Sequence, residues 1–348
     1  MEMRKLPGTD AQVSSLCLGT MNFGQQCDEA NAHEQLDYAV NDGINFIDTA
    51  EIYPIPPDKT KQGLTEMYVG TWLAKRKDRD KLIIATKVGS RGQSNSMRTR
   101  DAKAGLTKKS ILEAIDCSLR RLQTDYVDVY QVHTPERHLN IFGVRGWPEL
   151  DGDDGAPIEE TLDALGELVK SGKVRYIGVS NESPWGMMQY LRIAKEKDLP
   201  RIITIQNQYS LLNRTFEIGH SEICLRENIG LLAYSSLNMG VLSGKYLGGA
   251  MPPGARFTIY ERNRARYNPP HAQPAIERYM QIAKDAGITP SQLALAFVRE
   301  RKFTTSVIIA ATKIEQLAED IKAGDIKLSP DTYAAIEQAY KEMPDPTA

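Results

Sequence analysis

One stretch of this sequence carries an apolar run directly into ionisable groups: Asn45-Phe46-Ile47-Asp48-Thr49-Ala50-Glu51-Ile52-Tyr53. The apolar residues before Asp48 predict a short buried strand. Asp48 stands at the carboxyl end of that strand, and Tyr53 follows five residues later in the loop. A carboxylate at a strand end and a phenol just beyond it can face the same cavity. The stretch therefore predicts a functional site where the strand ends.

The same unit, a buried strand that ends in a polar or ionisable residue and is followed by a helix, repeats along the chain. Strands are predicted at 15–20, 44–47, 82–86, 127–132, 174–179, 202–205, 230–233 and 307–309. Helices are predicted at 30–42, 64–75, 107–122, 158–170, 184–197, 215–228, 273–286, 290–301 and 314–323. Eight continuous apolar strands that alternate with helices are typical of a (β/α)8 TIM barrel. An open doubly wound sheet is the structural alternative.

The remaining segments predict additions to this barrel rather than a second domain. Pro7-Gly8-Thr9-Asp10 is a turn between two extended pieces, which predicts an N-terminal β-hairpin. The βα loops 54–63, 134–157 and 236–272 are long, and such loops in a compact barrel are usually binding loops or lids. No linker divides the sequence, so we expect one domain over residues 1–348.

Composition and charge argue against several classes of function. The 348 residues carry a net charge of -2, so no nucleic-acid or anionic-membrane partner is expected. Arg262, Arg264 and Arg266 form a local basic spot, but one spot is not a binding stripe. The four cysteines show no metal-like spacing, no apolar signal-peptide core follows the first residues, and the apolar runs are too short to span a bilayer. These features predict a cytoplasmic protein.

Two further strand ends add the groups that acid–base chemistry at a carbonyl requires. Lys87 follows the third predicted strand, and His133 follows the fourth. A phenol has a pKa of about 10, and an ammonium beside it lowers that pKa by stabilising the phenolate. Asp48 would hold Lys87, and His133 would donate a hydrogen bond to a substrate oxygen. The plainer alternative is a structural Asp48–Lys87 ion pair, because buried charges need partners in any protein.

Familiar metal and cofactor motifs are absent from the sequence. His133 and His138 are not part of an HExxH zinc motif, so no metal site is predicted, and there is no GxGxxG for a Rossmann site. A run that imitates a P-loop, Gly240–Lys245, has the wrong spacing. A nicotinamide would therefore have to bind at the barrel mouth.

Polar and aromatic side chains at the later strand ends suit such a ligand. The amide and hydroxyl groups of Ser180, Asn181 and Gln206 match a carboxamide. Tyr234 offers an aromatic face on which a nicotinamide ring could stack. Thr312 and Lys313 precede a helix whose N-terminus favours anions.

In this ordered set of motifs the chain resembles the aldo-keto reductase superfamily over essentially its whole length. The segment 43–53 is similar to the catalytic stretch of that family, and Lys87 and His133 match its other catalytic positions. Three cofactor segments also match: Gly178-Val179-Ser180-Asn181, Gln206-Asn207-Gln208-Tyr209-Ser210 and Tyr234-Ser235-Ser236-Leu237. Within the superfamily the chain is most similar to bacterial Tas-like reductases, which also resemble potassium-channel β subunits.

The resemblance implies roles for these and further residues. The catalytic residues would be a general acid, two groups that tune it and one that orients the carbonyl: Tyr53, Lys87, Asp48 and His133. The nicotinamide of NADP(H) would contact Ser180, Asn181, Gln206 and Tyr234. Further cofactor positions would be Gly19, Thr20, Met21 and Asp48, then Ser235, Leu237, Asn238, Gly240, Leu242, Lys245 and Arg256 near the pyrophosphate. The adenosine would be surrounded by Thr312, Lys313, Gln316 and Asp320, and the substrate pocket lined by Ile52, Tyr53, Phe142 and Trp147.

These implications predict an NADPH-dependent reductase that converts an aldehyde or ketone, a small-molecule carbonyl substrate, to an alcohol. The phosphorylated cofactor is expected because Lys313 would meet its 2′-phosphate, although Asp320 adds a negative charge nearby. Two alternatives stay open: a nicotinamide-binding regulatory subunit with weak catalysis, and a Schiff-base lyase that uses Lys87 as its nucleophile. The family often has a glycine soon after the catalytic tyrosine, whereas Pro54 and a long loop follow it here.

Overall fold

Eight parallel strands close into a barrel in the computed structural model, which describes residues 1–91, 105–146, 155–261 and 263–347. An antiparallel hairpin, β1 (Met3–Lys5) and β2 (Gln12–Ser14), precedes the barrel. The barrel strands are β3 (Leu16–Gly19), β4 (Phe46–Asp48), β5 (Ile83–Val88), β6 (Val127–Val132), β7 (Val174–Ser180), β8 (Ile202–Gln208), β9 (Gly230–Tyr234) and β10 (Thr304–Ile309). β10 closes the ring by pairing with β3. The predicted (β/α)8 barrel with an N-terminal hairpin is confirmed, and the open sheet is excluded.

The barrel strands are buried along nearly their whole length, as strands covered on both faces require. In the sheet register Asp48 lies opposite Ala85, and Lys87 lies opposite Gln131. The sequence predicted Lys87 directly after the strand. β5 extends to Val88, so Lys87 instead lies inside the strand. Its side chain is long enough to reach Asp48 from that position.

Helices connect the strands and cover the outside of the barrel: α1 (Glu29–Asn41), α2 (Leu64–Leu73), α3 (Lys108–Leu122), α4 (Ile158–Lys170), α5 (Pro184–Lys197), α6 (His220–Glu227), α7 (Arg256–Ile259), α8 (Arg264–Tyr267), α9 (Gln273–Asp285), α10 (Pro290–Arg299), α11 (Ile314–Lys322) and α12 (Pro330–Glu342). The predicted helix 215–228 is wrong in its first half. A short 3-10 turn, Thr215–Glu217, precedes α6 there, because Gly219 adopts a φ of +86° that interrupts a helix. The sequence did not predict α7, α8 or α12.

Local sequence signals set several helix ends. Thr107 caps α3 by accepting a hydrogen bond from the Ser110 backbone, as predicted from the sequence. Thr289 begins α10 with a capping box completed by Gln292. Gly43 follows α1 with a φ of +90°, which a residue with a side chain rarely adopts.

The hairpin packs at the end of the barrel opposite the predicted site. Leu6 and Val13 from the hairpin join Phe46 and Ile83 in a separate buried cluster. This end is therefore filled by apolar side chains, which leaves the carboxyl ends of the strands to form a cavity.

Residues 343–347, called the tail below, pack across loops at the carboxyl end of the barrel. Thr347 is 2% exposed, and its backbone N–H donates to the Leu212 carbonyl at 3.1 Å. Its hydroxyl accepts a hydrogen bond from Asn238 at 2.8 Å. His271 contacts the Pro346 carbonyl at 2.9 Å, so the tail joins the loops that follow β8 and β9. In the described part of the chain, helices fall short of the length and apolarity needed to cross a membrane.

Candidate active site

A cavity of about 970 Å³ opens where the barrel strands end. Most of the residues predicted for the site line it: Gly19, Thr20, Met21, Asp48, Ile52, Tyr53, His133, Phe142, Ser180, Asn181, Gln206, Tyr234, Ser235, Leu237, Gly240, Lys245, Arg256, Thr312, Lys313, Gln316 and Asp320. Lys87 lies behind this wall and is fully buried. Trp147 lies outside the described residues, so its role in the substrate pocket stays a prediction.

Asp48 and Lys87 form a buried ion pair at the base of the cavity. The ammonium of Lys87 donates to Asp48 Oδ2 at 2.6 Å, to the Thr49 carbonyl at 2.8 Å and to the Tyr53 hydroxyl at 3.4 Å. Burial alone would lower the pKa of Lys87, but Asp48 and Tyr53 outweigh burial and raise that pKa. An ammonium that donates three hydrogen bonds is a fixed charge rather than a nucleophile.

Tyr53 lies between this fixed charge and the cavity. Lys87 Nζ is 4.8 Å from the centre of the Tyr53 ring, and the ring is 8% exposed. Burial raises the pKa of Tyr53 above its usual value, while Lys87 acts in the opposite direction. The ammonium acts in the expected direction, but loss of hydration of the phenolate outweighs it, so the net pKa is raised. Tyr53 consequently keeps its proton at neutral pH, as a proton donor must.

His133 packs edge-on against Tyr53, with ring centres 5.6 Å apart and an interplanar angle of 82°. Burial, and then the charge of Lys87, lower the pKa of His133 well below its usual value. The imidazole is therefore neutral and carries one N–H donor and one acceptor nitrogen. Its Nδ1 has no hydrogen-bond partner within the described ranges. Such a ring can orient an oxygen but does not supply a charged acid.

Gln131 is a buried member of this cluster that the sequence reasoning missed. Its amide nitrogen donates to Asp48 Oδ1 at 3.2 Å, and its carbonyl accepts from Gln206 at 3.3 Å. Gln206 also donates to Asp48 Oδ1, at 2.9 Å. A usable signal was present: Gln131 lies on β6 two residues before His133, which directly follows the strand, and alternate residues of a strand point to the same side.

The residues predicted for a carboxamide already form a connected network. Ser180 donates to the Gln206 carbonyl at 2.8 Å. Asn181 donates to the His133 carbonyl at 2.9 Å and accepts from the Tyr234 hydroxyl at 2.7 Å. These bonds fix the side chains at the wall of the cavity and hold the ring of Tyr234 in one orientation.

The segment after β9 is divided between the cavity and the protein interior. Ser235, Leu237 and Gly240 line the cavity, whereas the side chains of Asn238 and Leu242 are fully buried away from it. Asn238 turns inward because it accepts from Ser210 and donates to Thr347. The two inward-facing residues can therefore meet a ligand only through their backbone, so their assignment to the cofactor stays a prediction.

Gly240 in this segment allows a close approach of Lys245. Its φ is +90°, and a Cβ there would come within 2.7 Å of the Lys245 ammonium. A side chain at position 240 would therefore push the cation out of the cavity wall.

Arg256 crosses the cavity mouth and joins three loops. Its guanidinium donates to Asn22 at 2.8 Å, to Gln26 at 3.2 Å and to the Ile55 carbonyl at 3.2 Å. All three acceptors are neutral, so the positive charge of Arg256 remains available to an anion.

One end of the cavity, called the adenosine end after the predicted role of four of its residues, is lined by Lys245, Thr312, Lys313, Gln316 and Asp320. Within the described residues, its charged side chains have no ion-pair partner. Burial, reinforced by Glu319 and opposed by Lys245, raises the pKa of Asp320 to about 8. Burial lowers the pKa of Lys245, and Asp320 acts in the opposite direction. Lys313 is exposed, and Thr312 is held by hydrogen bonds to Gln316 at 3.1 and 3.2 Å.

The opposite side of the mouth is formed by Phe142 and Arg266. The guanidinium carbon of Arg266 lies 5.5 Å from the centre of the Phe142 ring and 4.7 Å from that of Tyr267. Its Nη2 donates to the side chain of Gln208. From the sequence, Arg266 was identified only as part of a basic spot. No local sequence pattern indicates that α8 directs its side chain into the cavity.

The described residues give no sign of a metal centre. No three side chains among their His, Cys, Asp and Glu are grouped as metal ligands would be. The four cysteines are buried free thiols.

Together the closed barrel and the buried Asp, Lys, Tyr and His define a class of (β/α)8 protein with an acid–base cluster in its carboxyl-end cavity. The sequence model of the Aldo/keto reductase family matches residues 15–341. The chain belongs to this family and is a nicotinamide-dependent oxidoreductase.

Curated relatives agree with this assignment over nearly full lengths. The chain is 50% identical over 341 residues to Protein tas of Escherichia coli, which covers 98% of both chains. It is 30% identical to norsolorinic acid reductase B of Aspergillus parasiticus, over 97% of this chain and 84% of that one. It is also 30% identical to a probable voltage-gated potassium channel subunit beta of Arabidopsis thaliana, over 99% and 98%.

Proposed function

We propose that the protein reduces an aldehyde or ketone to the alcohol, with NADPH as the hydride donor and Tyr53 as the proton donor. The observation that carries the proposal is the bonding of Lys87, whose ammonium is held between the Asp48 carboxylate and the Tyr53 hydroxyl. This arrangement sets a fixed positive charge beside a phenol at the cavity wall. A charge in that position stabilises the phenolate that forms when the proton leaves.

The cavity wall suits a phosphorylated nicotinamide dinucleotide. Ser180, Asn181 and Gln206 offer amide and hydroxyl groups to the carboxamide, and Tyr234 offers its ring. Three cations, Lys245, Arg256 and Lys313, line the cavity without a carboxylate within ion-pair distance among the described residues, as a ligand with several phosphates requires. When bound, the cofactor supplies the hydride.

The catalytic residues would then divide the proton transfer among them. Tyr53 and the neutral His133 donate hydrogen bonds to the carbonyl oxygen, and Tyr53 releases its proton as negative charge develops there. Lys87 stabilises the resulting phenolate, and Asp48 keeps Lys87 protonated and in position. Because these groups are buried, water does not screen their interactions.

The two alternatives fare differently. The lyase is disfavoured because Lys87 is fully buried and its ammonium donates to three oxygens. The regulatory subunit is favoured by one observation, the similarity to the Arabidopsis protein described as a probable potassium channel subunit. That candidate predicts tight NADPH binding without turnover.

A panel of aldehydes and ketones, assayed by NADPH oxidation, tests the proposal. We expect Tyr53→Phe to reduce turnover by on the order of 10²-fold or more, the usual scale of general acid catalysis, while the Kd for NADPH hardly changes. Tyr68→Phe, on α2, is the matched control and should keep full activity. Near-normal turnover by Tyr53→Phe would disprove its role. NADPH binding with no turnover across the panel would favour the regulatory subunit.

We further propose that residues 1–348 act as one domain in the cytoplasm on small-molecule substrates. Support comes from the family match over residues 15–341 and from the buried free thiols. Cell fractionation that finds the protein outside the cytoplasm would contradict the location.

A further inference from the structure

Arg266 is a cation of the cavity wall that the cofactor does not account for. It lies on α8, and its guanidinium stands over Phe142, on the side of the mouth formed by the loop after β6 and the end of β8. The cations proposed for the cofactor phosphates are Lys245, Arg256 and Lys313. The first two share the loop after β9 with Arg266 but face other groups, since Lys245 influences Asp320 and Arg256 contacts the loops after β3 and β4. Arg266 is thus separate from the adenosine end.

The partners of Arg266 hold its position but leave its charge uncompensated. Gln208 accepts one N–H, and the faces of Phe142 and Tyr267 flank the guanidinium. No Asp or Glu lies within ion-pair distance of it in the described ranges, and its Nε has no hydrogen-bond partner there. By contrast, Arg121 and Arg137, which are also partly buried, are each paired with a carboxylate.

Arg266 also lies close to the reacting end of the cavity. Burial raises the pKa of the Tyr234 hydroxyl, and the positive charge of Arg266 acts in the opposite direction. The two side chains are therefore neighbours. Tyr234 in turn donates to Asn181, and Asn181 donates to the carbonyl of His133. A ligand that touches His133 could therefore reach Arg266 with another part of the same molecule.

We propose that Arg266 binds a carboxylate on the carbonyl substrate, so that the preferred substrates are aldehydes or ketones that also carry an acid group. The planar guanidinium matches a carboxylate with two parallel hydrogen bonds, and its single positive charge balances a single negative one. The adjacent ring of Phe142 suits an apolar or aromatic spacer between the two groups. This inference rests on the proposed reductase function and adds the class of substrate to it.

The turnover test compares acids with their uncharged esters. 4-Carboxybenzaldehyde is paired with methyl 4-formylbenzoate, and 4-oxobutanoate with its methyl ester. We expect kcat/KM to favour each acid by about 10- to 100-fold, the scale of a hydrogen-bonded ion pair. Arg266→Met should bring the acid-to-ester ratio close to one, mainly through KM, and leave the esters and the Kd for NADPH nearly unchanged. Arg266→Lys should retain part of the preference.

A matched control separates a specific contact from general charge. Arg264→Met removes the same charge from the same helix, at a residue that is not among the described lining of the cavity. It should keep the full preference for acids. If it lowers the ratio as much as Arg266→Met does, the effect is long-range attraction and the inference is wrong. A loss of NADPH affinity in Arg266→Met with an unchanged ratio would assign Arg266 to the cofactor and also overturn it.

A binding measurement keeps this inference testable if no carbonyl is turned over. Benzoate and benzamide have nearly the same shape and differ in charge, and their binding to the protein in saturating NADP+ can be measured by calorimetry. We expect benzoate to bind at least about tenfold more tightly, with the difference lost in Arg266→Met and kept in Arg264→Met. Equal binding of the two compounds overturns the carboxylate site. Turnover of the esters alone would then leave the reductase function standing.

Discussion

The proposed catalytic cluster consists of Asp48, Tyr53, Lys87 and His133. This cluster and the adenosine end of the same cavity differ in how their buried charges are partnered. In the cluster, Lys87 has three oxygen partners within 3.4 Å, and Asp48 accepts from Lys87, Gln131 and Gln206. At the adenosine end, Lys245 and Asp320 influence one another without forming an ion pair within the described residues. Within the described residues, the charges of the first region have close partners, whereas those of the second have no ion-pair partner. We infer that the cluster is preorganised for chemistry and that the adenosine end gains its missing partners when the cofactor binds.

The largest effect is expected at Lys87, because this residue supplies the counter-charge that distinguishes the cluster from the adenosine end. Lys87→Met would leave the Asp48 carboxylate buried without a counter-charge, which should lower the free energy of unfolding by roughly 3–5 kcal/mol. Turnover should fall by on the order of 10²-fold or more, because nothing stabilises the Tyr53 phenolate. Urea unfolding and steady-state kinetics measure the two effects.

A double variant separates the structural part of this effect from the catalytic part. Asp48→Asn combined with Lys87→Met removes both charges, so most of the stability should return while turnover stays low. If Lys87→Met unfolds like the wild type, the pair does not carry the charge balance described above.

The next effect concerns Asp320 and the pH dependence of stability. Since its pKa is about 8 in the folded chain and about 4 when unfolded, the folded state binds more protons between these values. Stability of the cofactor-free protein should therefore fall as the pH rises from about 4 to about 8, by at most about 1.4 kcal/mol per pH unit from this group. Asp320→Asn should reduce this slope, as urea unfolding at several pH values would show.

Glu315→Gln is the control, since Glu315 is an exposed carboxylate in the first turn of the same helix. It should leave the slope as in the wild type. A slope that is the same in Asp320→Asn as in the wild type would show that Asp320 finds a partner, and the contrast between the two regions would weaken.

Gln131 offers a milder test of the catalytic cluster. Gln131→Leu removes one donor from Asp48 and one acceptor from Gln206 while keeping a similar volume. We expect kcat to fall about tenfold and the Kd for NADPH to stay within twofold, since a hydrogen bond to a charged group is worth roughly 1.5–3 kcal/mol. Gln131→Glu should cost more than Gln131→Leu because it sets a second carboxylate beside Asp48. Equal kcat in wild type and Gln131→Leu would remove Gln131 from the cluster.

The smallest effect is expected at Lys313, which is exposed. A 2′-phosphate there would gain a cation and the N-terminal N–H groups of α11, together worth roughly 1–2 kcal/mol or about tenfold in affinity. Lys313→Ala should therefore weaken NADPH several-fold and leave NADH almost unchanged in fluorescence titrations. Lys322→Ala, at the other end of the same helix, is the control. Equal losses for both cofactors would mean that Lys313 does not distinguish the phosphate.

The sequence was most informative where structure is periodic. The barrel strands were predicted from continuous apolar runs. Because Asp48, Tyr53 and His133 follow the carboxyl ends of these strands, they were predicted to face one cavity. Lys87 was assigned to the right group although its strand runs one residue past it. These successes depend on the regular geometry of a barrel, which converts positions along the chain into positions in space.

The sequence was least informative where a contact joins distant segments or where two forces oppose each other. Asn238 and Thr347 are 109 residues apart, and no local sequence pattern predicts the hydrogen bond between them. The charge of Arg266 was visible, but its orientation follows from a short helix inside a long loop. The pKa of Tyr53 depends on whether burial or Lys87 dominates, and only the three-dimensional surroundings settle that balance.

The tail has a consequence for when the segment after β9 becomes fixed during synthesis of the protein. Asn238 lies beside the cavity-lining part of the segment after β9, and its partner Thr347 comes later in the chain than every barrel strand. On a ribosome, the eight strands can therefore emerge before the residue that fixes this segment. We expect stalled nascent chains that expose residues up to 342 to bind NADPH poorly, and chains that expose residue 347 to bind it as the released protein does. Equal binding by both would show that the barrel orders this segment without the tail.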